Sequence, residues 1–338
     1  MPLWLKNSGR FLFTCFLLAM AGWATLAIFY SNLPSFLRPW IAALFGISSL
    51  IVLLWKYNSP RFKLGFLLVF TLVLLWWLTI PPSNDRDWQP DLKILASAEV
   101  VGDSVTINNI RNCDYRTETE FTCQYYNKTF DLSKLRHVDL MLVYWGSPNI
   151  AHTIMSFDFA DQGIVSFSIE TRKEKGEHYS MVKGFFRQYE LFYVVADERD
   201  VVRLRTNYRE AGKGEDVYLY QMTADPGLAR QVFLSYLREV NGLNEQPKWY
   251  NALTDNCTTS ILRHTMPYNP AAGFDWRLIV NGYVDEMLYE RGSIDTSLPF
   301  TELKRRSYIN PAAQAADQDP AFSQRIRTGL PGKRRESP

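Results

Sequence analysis

The chain has 338 residues, 47% of them hydrophobic, with 37 basic and 35 acidic residues and a formal charge of +2. The charge is unevenly placed. Residues 1–80 hold no Asp or Glu and only Lys6, Arg10, Arg38, Lys56, Arg61 and Lys63, which leaves 31 basic against 35 acidic residues in 81–338, a charge of −4. That balance makes the domain a poor candidate for a polyphosphate partner such as DNA, which calls for a basic face, and the length leaves room for a membrane part beside a domain with its own core.

In chain order, three apolar runs come first, at 11–30, 40–55 and 64–80. A helix crossing a bilayer needs about 20 residues, with ~17 as a lower limit. The second and third runs reach it by recruiting flanking residues, with Arg38 and Lys63 snorkelling at the interface. The predicted spans are therefore 11–30, 36–55 and 62–80. A cleaved signal peptide is the competing reading of the first run. It is longer than an h-region of ~7–15 residues and lacks a small-x-small cleavage site. Lys6 and Arg10 precede the first span and Lys56, Arg61 and Lys63 fill the second loop, against Arg38 alone in the first loop. This distribution predicts a cytoplasmic N-terminus and an extracytoplasmic domain over 81–338 in a multi-pass inner-membrane protein.

Pro81-Pro82 ends the third helix, and 81–135 reads as a strand-rich linker region with a strand over 99–107. Cys113 and Cys123 flank a turn in RNCDYRTETEFTCQYY. Outside the cytoplasm two such thiols pair, so a disulfide-closed hairpin is expected. Cys15 reads as a small apolar residue inside the first span, which leaves Cys257 as a spare thiol in an oxidising compartment. From 136 to about 220 strands dominate. In 164–170, Val165, Phe167 and Ile169 alternate with Ser166, Ser168 and Glu170, the pattern of a strand with one polar face. After Asp225-Pro226 the period changes to helical: one helix over 227–240, a second beginning near Asn256, a third over 276–291. Residues 310–338 read as a solvated, disordered tail with a basic end. The fold class is thus three transmembrane helices followed by an α+β domain over 136–309, strands first and helices after.

The strongest local signal is Thr254-Asp255-Asn256-Cys257-Thr258-Thr259. A cluster of N-cap residues before an apolar start places Cys257 in the first turn of a helix, where free N–H groups and the positive dipole end favour thiolate. First-turn N–H groups, with Asn256 and Thr258 in support, are the candidate oxyanion site. A nucleophile and an inert buried cysteine both remain open readings. Among four histidines, His152 lies on a strand between apolar residues, whereas His264 would stand about 10 Å along the helix from Cys257. His152 is the candidate base, against the reading of a satisfied core histidine. A hairpin turning near Asp161-Gln162 sets Glu170 or Thr171 opposite it, and Glu170 is the candidate orienting carboxylate, against an exposed carboxylate paired with Arg172 or Lys173. With scattered histidines and no H-E-x-x-H or paired C-x-x-C, no metal or other cofactor is expected.

Taken together, His152-Thr-Ile-Met-Ser-Phe, Ser168-Ile-Glu170-Thr-Arg172 with the following Lys-Glu-Lys-Gly176, Phe186-Arg-Gln-Tyr-Glu-Leu191 and Asp255-Asn-Cys-Thr-Thr259 resemble the periplasmic domain of Lnb-type lipoprotein N-acyltransferases over about 137–265. The order of a histidine strand before a cysteine helix also resembles the circularly permuted papain-like fold of lecithin:retinol acyltransferase-type enzymes. The resemblance implies a thiol enzyme that moves an acyl chain from the diacylglyceryl-cysteine of a lipoprotein to its own amine, with Cys257 as nucleophile, His152 as base and Glu170 as third member. A lipoprotein or phospholipid and the membrane are the expected partners. An NlpC-type periplasmic peptidase or amidase, an envelope lipase and a non-catalytic, membrane-tethered interaction domain are the alternatives.

Overall fold

In the computed structural model, which describes residues 3–55, 59–209, 214–268 and 275–332, the chain forms two compact units. One is Met1–Ser83 with Tyr179–Glu190, the other Asn84–His178 with Leu191–Pro338.

The first unit holds three helices, α1 (Leu3–Phe29), α2 (Arg38–Trp55) and α3 (Pro60–Leu78), each long and apolar enough to cross a membrane. Proline stands in the first turn of α2 and α3, where its missing N–H costs nothing. Leu17, Ala21, Leu53 and Phe66 pack between the helices, while Phe11, Leu44 and Leu72 remain exposed on their outer faces. Residues 179–190, an excursion between two strands, belong to this unit. Arg187 Nη1 donates to the carbonyls of Trp77, Leu78 and Ile80 at 3.1, 2.9 and 3.2 Å, a cationic donor set at the C-terminal end of α3. Gln188 Nε2 donates to Tyr30 O at 2.7 Å, and Phe186 stacks on Tyr30.

The second unit is built on one mixed eight-stranded sheet: β1 (Ser97–Val101), β2 (Ser104–Tyr115), β3 (Phe121–Asp131), β4 (His137–Tyr144), β5 (Ala151–Asp158), β6 (Ile164–Arg172), β7 (Glu190–Ala196) and β8 (Asp216–Gln221). The order is β1-β2-β7-β6-β5-β4-β8, with β3 on β2. The region 81–135 is therefore not a linker, since its three strands extend the same sheet. The expected single strand over 99–107 is a hairpin that turns at Gly102, a residue with φ +60°. Cys113 and Cys123 face each other across β2 and β3 and form the disulfide.

Helices cover both faces of the sheet. They are α4 (Glu198–Arg203), which continues into a π-helical turn at Leu204–Tyr208, α5 (Pro226–Glu245), α6 (Cys257–Thr265), α7 (Val284–Glu290), α8 (Phe300–Arg306), α9 (Asn310–Ala315) and α10 (Phe322–Arg325). On one face, Phe157 and Phe167 pack edge-on against Phe233 and Tyr236 of α5. On the other, Met141, Val143, Ile154, Phe192 and Val194 pack with Val201 and Val202 of α4 and with Ile309, Ala313, Phe322 and Ile326.

Two expectations fail here. Residues 310–332 are not a disordered tail: α9 and α10 close the second face, and Arg327, buried, donates to Asp139 Oδ2 at 2.8 Å and to both Glu198 oxygens at 2.7 and 2.6 Å. The basic residues Lys333, Arg334 and Arg335 lie outside the described residues. The helix expected over 276–291 is broken into short turns at Trp276–Leu278 and Asn281–Tyr283 before α7 begins. Gly282 breaks it by close approach, because a Cβ there would stand 2.1 Å from Pro148 O.

Candidate functional site

Cys257 is the first residue of α6, as its sequence context dictates. Asn256 has extended backbone and its Oδ1 accepts from the N–H groups of Thr258 and Thr259 at 3.0 and 2.9 Å. Thr259 Oγ1 accepts in turn from Asn256 N–H at 3.0 Å. This capping box fixes the helix start. It also corrects the expected oxyanion role of Asn256: its carbonyl consumes the Thr258 and Thr259 N–H groups, and its Nδ2 donates to Ala252 O at 2.8 Å. The Cys257 N–H stays outside the cap. The thiol is free and buried, with Thr258 Oγ1 at 4.0 Å.

Thr258 ties the cysteine to the sheet. Its Oγ1 accepts from Asn281 Nδ2 at 2.7 Å; that amide also donates to Ala151 O at 2.7 Å and accepts from Ala151 N–H at 2.9 Å. Asn281 thereby holds the start of α6 against the start of β5. Sequence reasoning missed it, because an Asn-Gly pair inside an apparent helix carries no sign of its long-range partners.

Along α6 the buried positions are Cys257, Thr258, Ser260 and His264. His264 Nδ1 is 2.8 Å from Ser235 Oγ and Nε2 is 2.9 Å from the Tyr193 hydroxyl, and Tyr236 lies against the ring at 4.2 Å. Burial, with Arg263 and Arg238 nearby, pushes its pKa down to about 3. The neutral ring is satisfied at both nitrogens.

His152 stands elsewhere. Strand residues alternate in direction, and cross-strand partners share a face. Ile154 pairs with Ser168, and His152 pairs with Val143, so His152 lies on the face covered by α4. Its Nε2 is 2.7 Å from Ser168 Oγ, and Ser168 donates to Glu170 Oε1 at 2.8 Å. Arg205, in the π-helical turn, donates to Glu170 at 3.1 Å and to Glu215 at 3.0 Å. Burial and the neighbouring Arg205 lower the His152 pKa to about 3, against a smaller opposing pull from Glu170. Burial alone would raise the Glu170 carboxyl, but Arg205, with His152 and Arg209, holds it well below the ordinary range. Glu170 thus pairs with Arg205, and neither Arg172 nor Lys173 takes that place. The polar face of β6 is not open to water, because Ser166 and Ser168 are both fully buried.

The predicted residues therefore form two groups. His152 and Glu170 come together, and Asn256, Cys257 and Thr258 come together, but the groups occupy opposite faces. Thr153 and Met155, next to His152 with side chains turned the other way, line a cavity of about 570 Å³ together with Thr258 and Ile261 of α6. Asn281 links Ala151, the residue before His152, to Thr258, the residue after Cys257, yet the sheet separates imidazole from thiol. Among the described residues, no three of His, Cys, Asp and Glu gather as metal ligands.

Residues 121–282 match the family model of the Lnb N-terminal periplasmic domain. No curated protein and no solved structure is a match to the chain.

Proposed function

We propose that this chain, which joins an Lnb N-terminal periplasmic domain to three helices apolar enough to span a membrane, is a membrane-anchored thiol acyltransferase acting on lipid esters, with the diacylglyceryl-cysteine of a lipoprotein as donor. One observation carries the reading: Cys257 is kept as a free thiol at the positive end of a capped helix in a domain whose other two cysteines are bonded to each other. The thiol adds to the ester carbonyl, the acyl–oxygen bond breaks, and the glyceryl oxygen leaves with the thiol's proton. The amine of the lipoprotein cysteine then attacks the thioester, the carbon–sulfur bond breaks, and the thiol regains a proton. The balance closes without an oxidant, a reductant or water.

The strand-then-helix order agrees with a permuted papain-like enzyme, and α6 lies against the sheet as such an enzyme needs. The His152 side chain is not on the face such an enzyme would use. That separation favours a second reading, a non-catalytic interaction domain.

Mass spectrometry of lipoprotein N-termini decides between them. Cells with the wild-type protein are expected to yield N-acylated lyso-forms, and cells with Cys257→Ser or Cys257→Ala none. Lyso-forms from a stable Cys257→Ala protein would remove the thiol mechanism, and cleaved peptidoglycan stems in place of lyso-forms would point to an NlpC-type hydrolase. His152→Ala is expected to lower stability while keeping activity per folded molecule within about tenfold, since the imidazole does not bond the sulfur.

A further inference from the structure

Between the sheet, α5 and α6 lies a cavity of about 570 Å³, lined at the start of α6 by Thr258, the residue after Cys257. The volume lies within the ~300–1,000 Å³ typical of small-molecule sites. Its walls are mostly apolar: Leu140 and Met155 from the sheet, Val232 from α5, Ile261 from α6, and Leu278 and Met287 beyond. It runs beside α6 from Thr258 to Met266, about 12 Å at the helical rise.

One pole is polar. Thr153, 2% exposed, lines the cavity, and its Oγ1 has no hydrogen-bond partner among the described residues. A buried hydroxyl without a partner costs roughly 1–3 kcal/mol, so it marks where a ligand's polar group completes the site. Thr258 lines the cavity too, with its hydroxyl 4.0 Å from Cys257 Sγ.

We propose that this cavity holds the acyl chain of the lipid ester, with the Thr153 hydroxyl donating to the ester carbonyl at the end next to Cys257. The assignment rests on the thiol-acyltransfer reading and adds the place and orientation of the donor chain. A lining that is mostly apolar fits a fatty chain better than a peptide stem, whose many polar groups would go largely unpaired along Leu140, Met155, Val232 and Ile261.

The test uses the full chain in vesicles containing a phospholipid with a photoactivatable palmitoyl chain. Cross-linked peptides are expected from β4–β5 and from 257–266, equally in the wild type and in Cys257→Ala, because chain binding does not need the sulfur. Labels confined to α1–α3 would overturn the proposal, whatever the fate of the thiol mechanism. If Cys257→Ala retains lyso-form production while the cavity is labelled, the thiol reading fails and the cavity assignment stands. A second measurement follows thioester formation. Thr153→Val keeps the side-chain shape and is expected to retain cavity labelling while slowing acylation about a hundredfold, the low end for one carbonyl donor. Unchanged acylation in Thr153→Val would remove the proposed contact. Ile261→Trp fills the cavity and is expected to shift preference to shorter acyl chains, and an unchanged chain-length profile in folded Ile261→Trp would count against the site.

Discussion

The two buried histidines set an acid limit for the fold. His152 and His264 each titrate near 3 in the folded protein against an ordinary value of 6.5, because burial disfavours the imidazolium and nearby arginines add to that. A lowered folded pKa means the unfolded chain binds more protons between these values, so stability is full above pH ~6.5 and falls as pH drops toward 3. Each histidine contributes a slope of about 1.4 kcal/mol per pH unit in that window. Urea midpoints measured at pH 7.5, 6.0 and 5.0 are expected to fall steadily, and His152→Gln should reduce the slope by about half. Midpoints that are flat across this range would contradict the burial of both rings. His152 itself was legible in the sequence as a strand residue, and Glu170 as its neighbour. What they bind was not: Ser168 stood out only as part of a polar face, and nothing in the sequence marks Arg205 as the partner of Glu170. Alternation separates two faces of a strand but cannot tell water from a second layer of protein.

At the scale of elements, short-range signals translated well. The cap cluster before Cys257 became a capping box, Asp225-Pro226 opened α5, and the Cys113–Cys123 stretch became a cross-strand disulfide. That disulfide closes a short loop, and the chain-entropy argument gives it about 2–3 kcal/mol. Replacing both cysteines by alanine is expected to lower the unfolding free energy by this amount. Alkylation of unreduced, denatured protein should label Cys15 and Cys257 alone, and labelling of all four cysteines would show the bond absent. The elements that misled were those whose ends depend on distant contacts. The pattern over 276–291 has helical spacing, but Gly282 lies against Pro148 and Asn281 is committed to β5 and Thr258, so the backbone turns there. The segment after 309 looked too small and polar to fold. Ile309, Ala313, Phe322 and Ile326 nevertheless reach one apolar layer, and Arg327 finds two buried carboxylates.

For the whole molecule, charge asymmetry gives a topology that can be tested. With five basic residues at the N-terminus and in the second loop against Arg38 alone in the first, residues after 80 are expected to lie outside. Alkaline phosphatase, which needs an oxidising compartment, is expected to be active when fused after Ser83 and inactive when fused at Asn58. The reverse pattern would invert the protein and remove the compartment in which a periplasmic domain and a Cys113–Cys123 disulfide belong.

Three long apolar helices at the N-terminus, the disulfide, the strand-then-helix order and the helix start at Cys257 were determined by the sequence alone. Each rests on hydrophobic length, capping chemistry or turn residues that act over a few positions. Which face of the sheet each candidate occupies was decided only by tertiary structure. One residue of offset along β5 turns His152 toward Arg205 and Thr153 toward α6, and only the layers packed on the two faces say which side the thiol is on. The same holds for 179–190, which joins the membrane helices because Arg187 and Gln188 meet open carbonyls far away in sequence. Local chemistry fixes where elements begin and end, whereas the pairing of faces depends on long-range burial that no single segment contains.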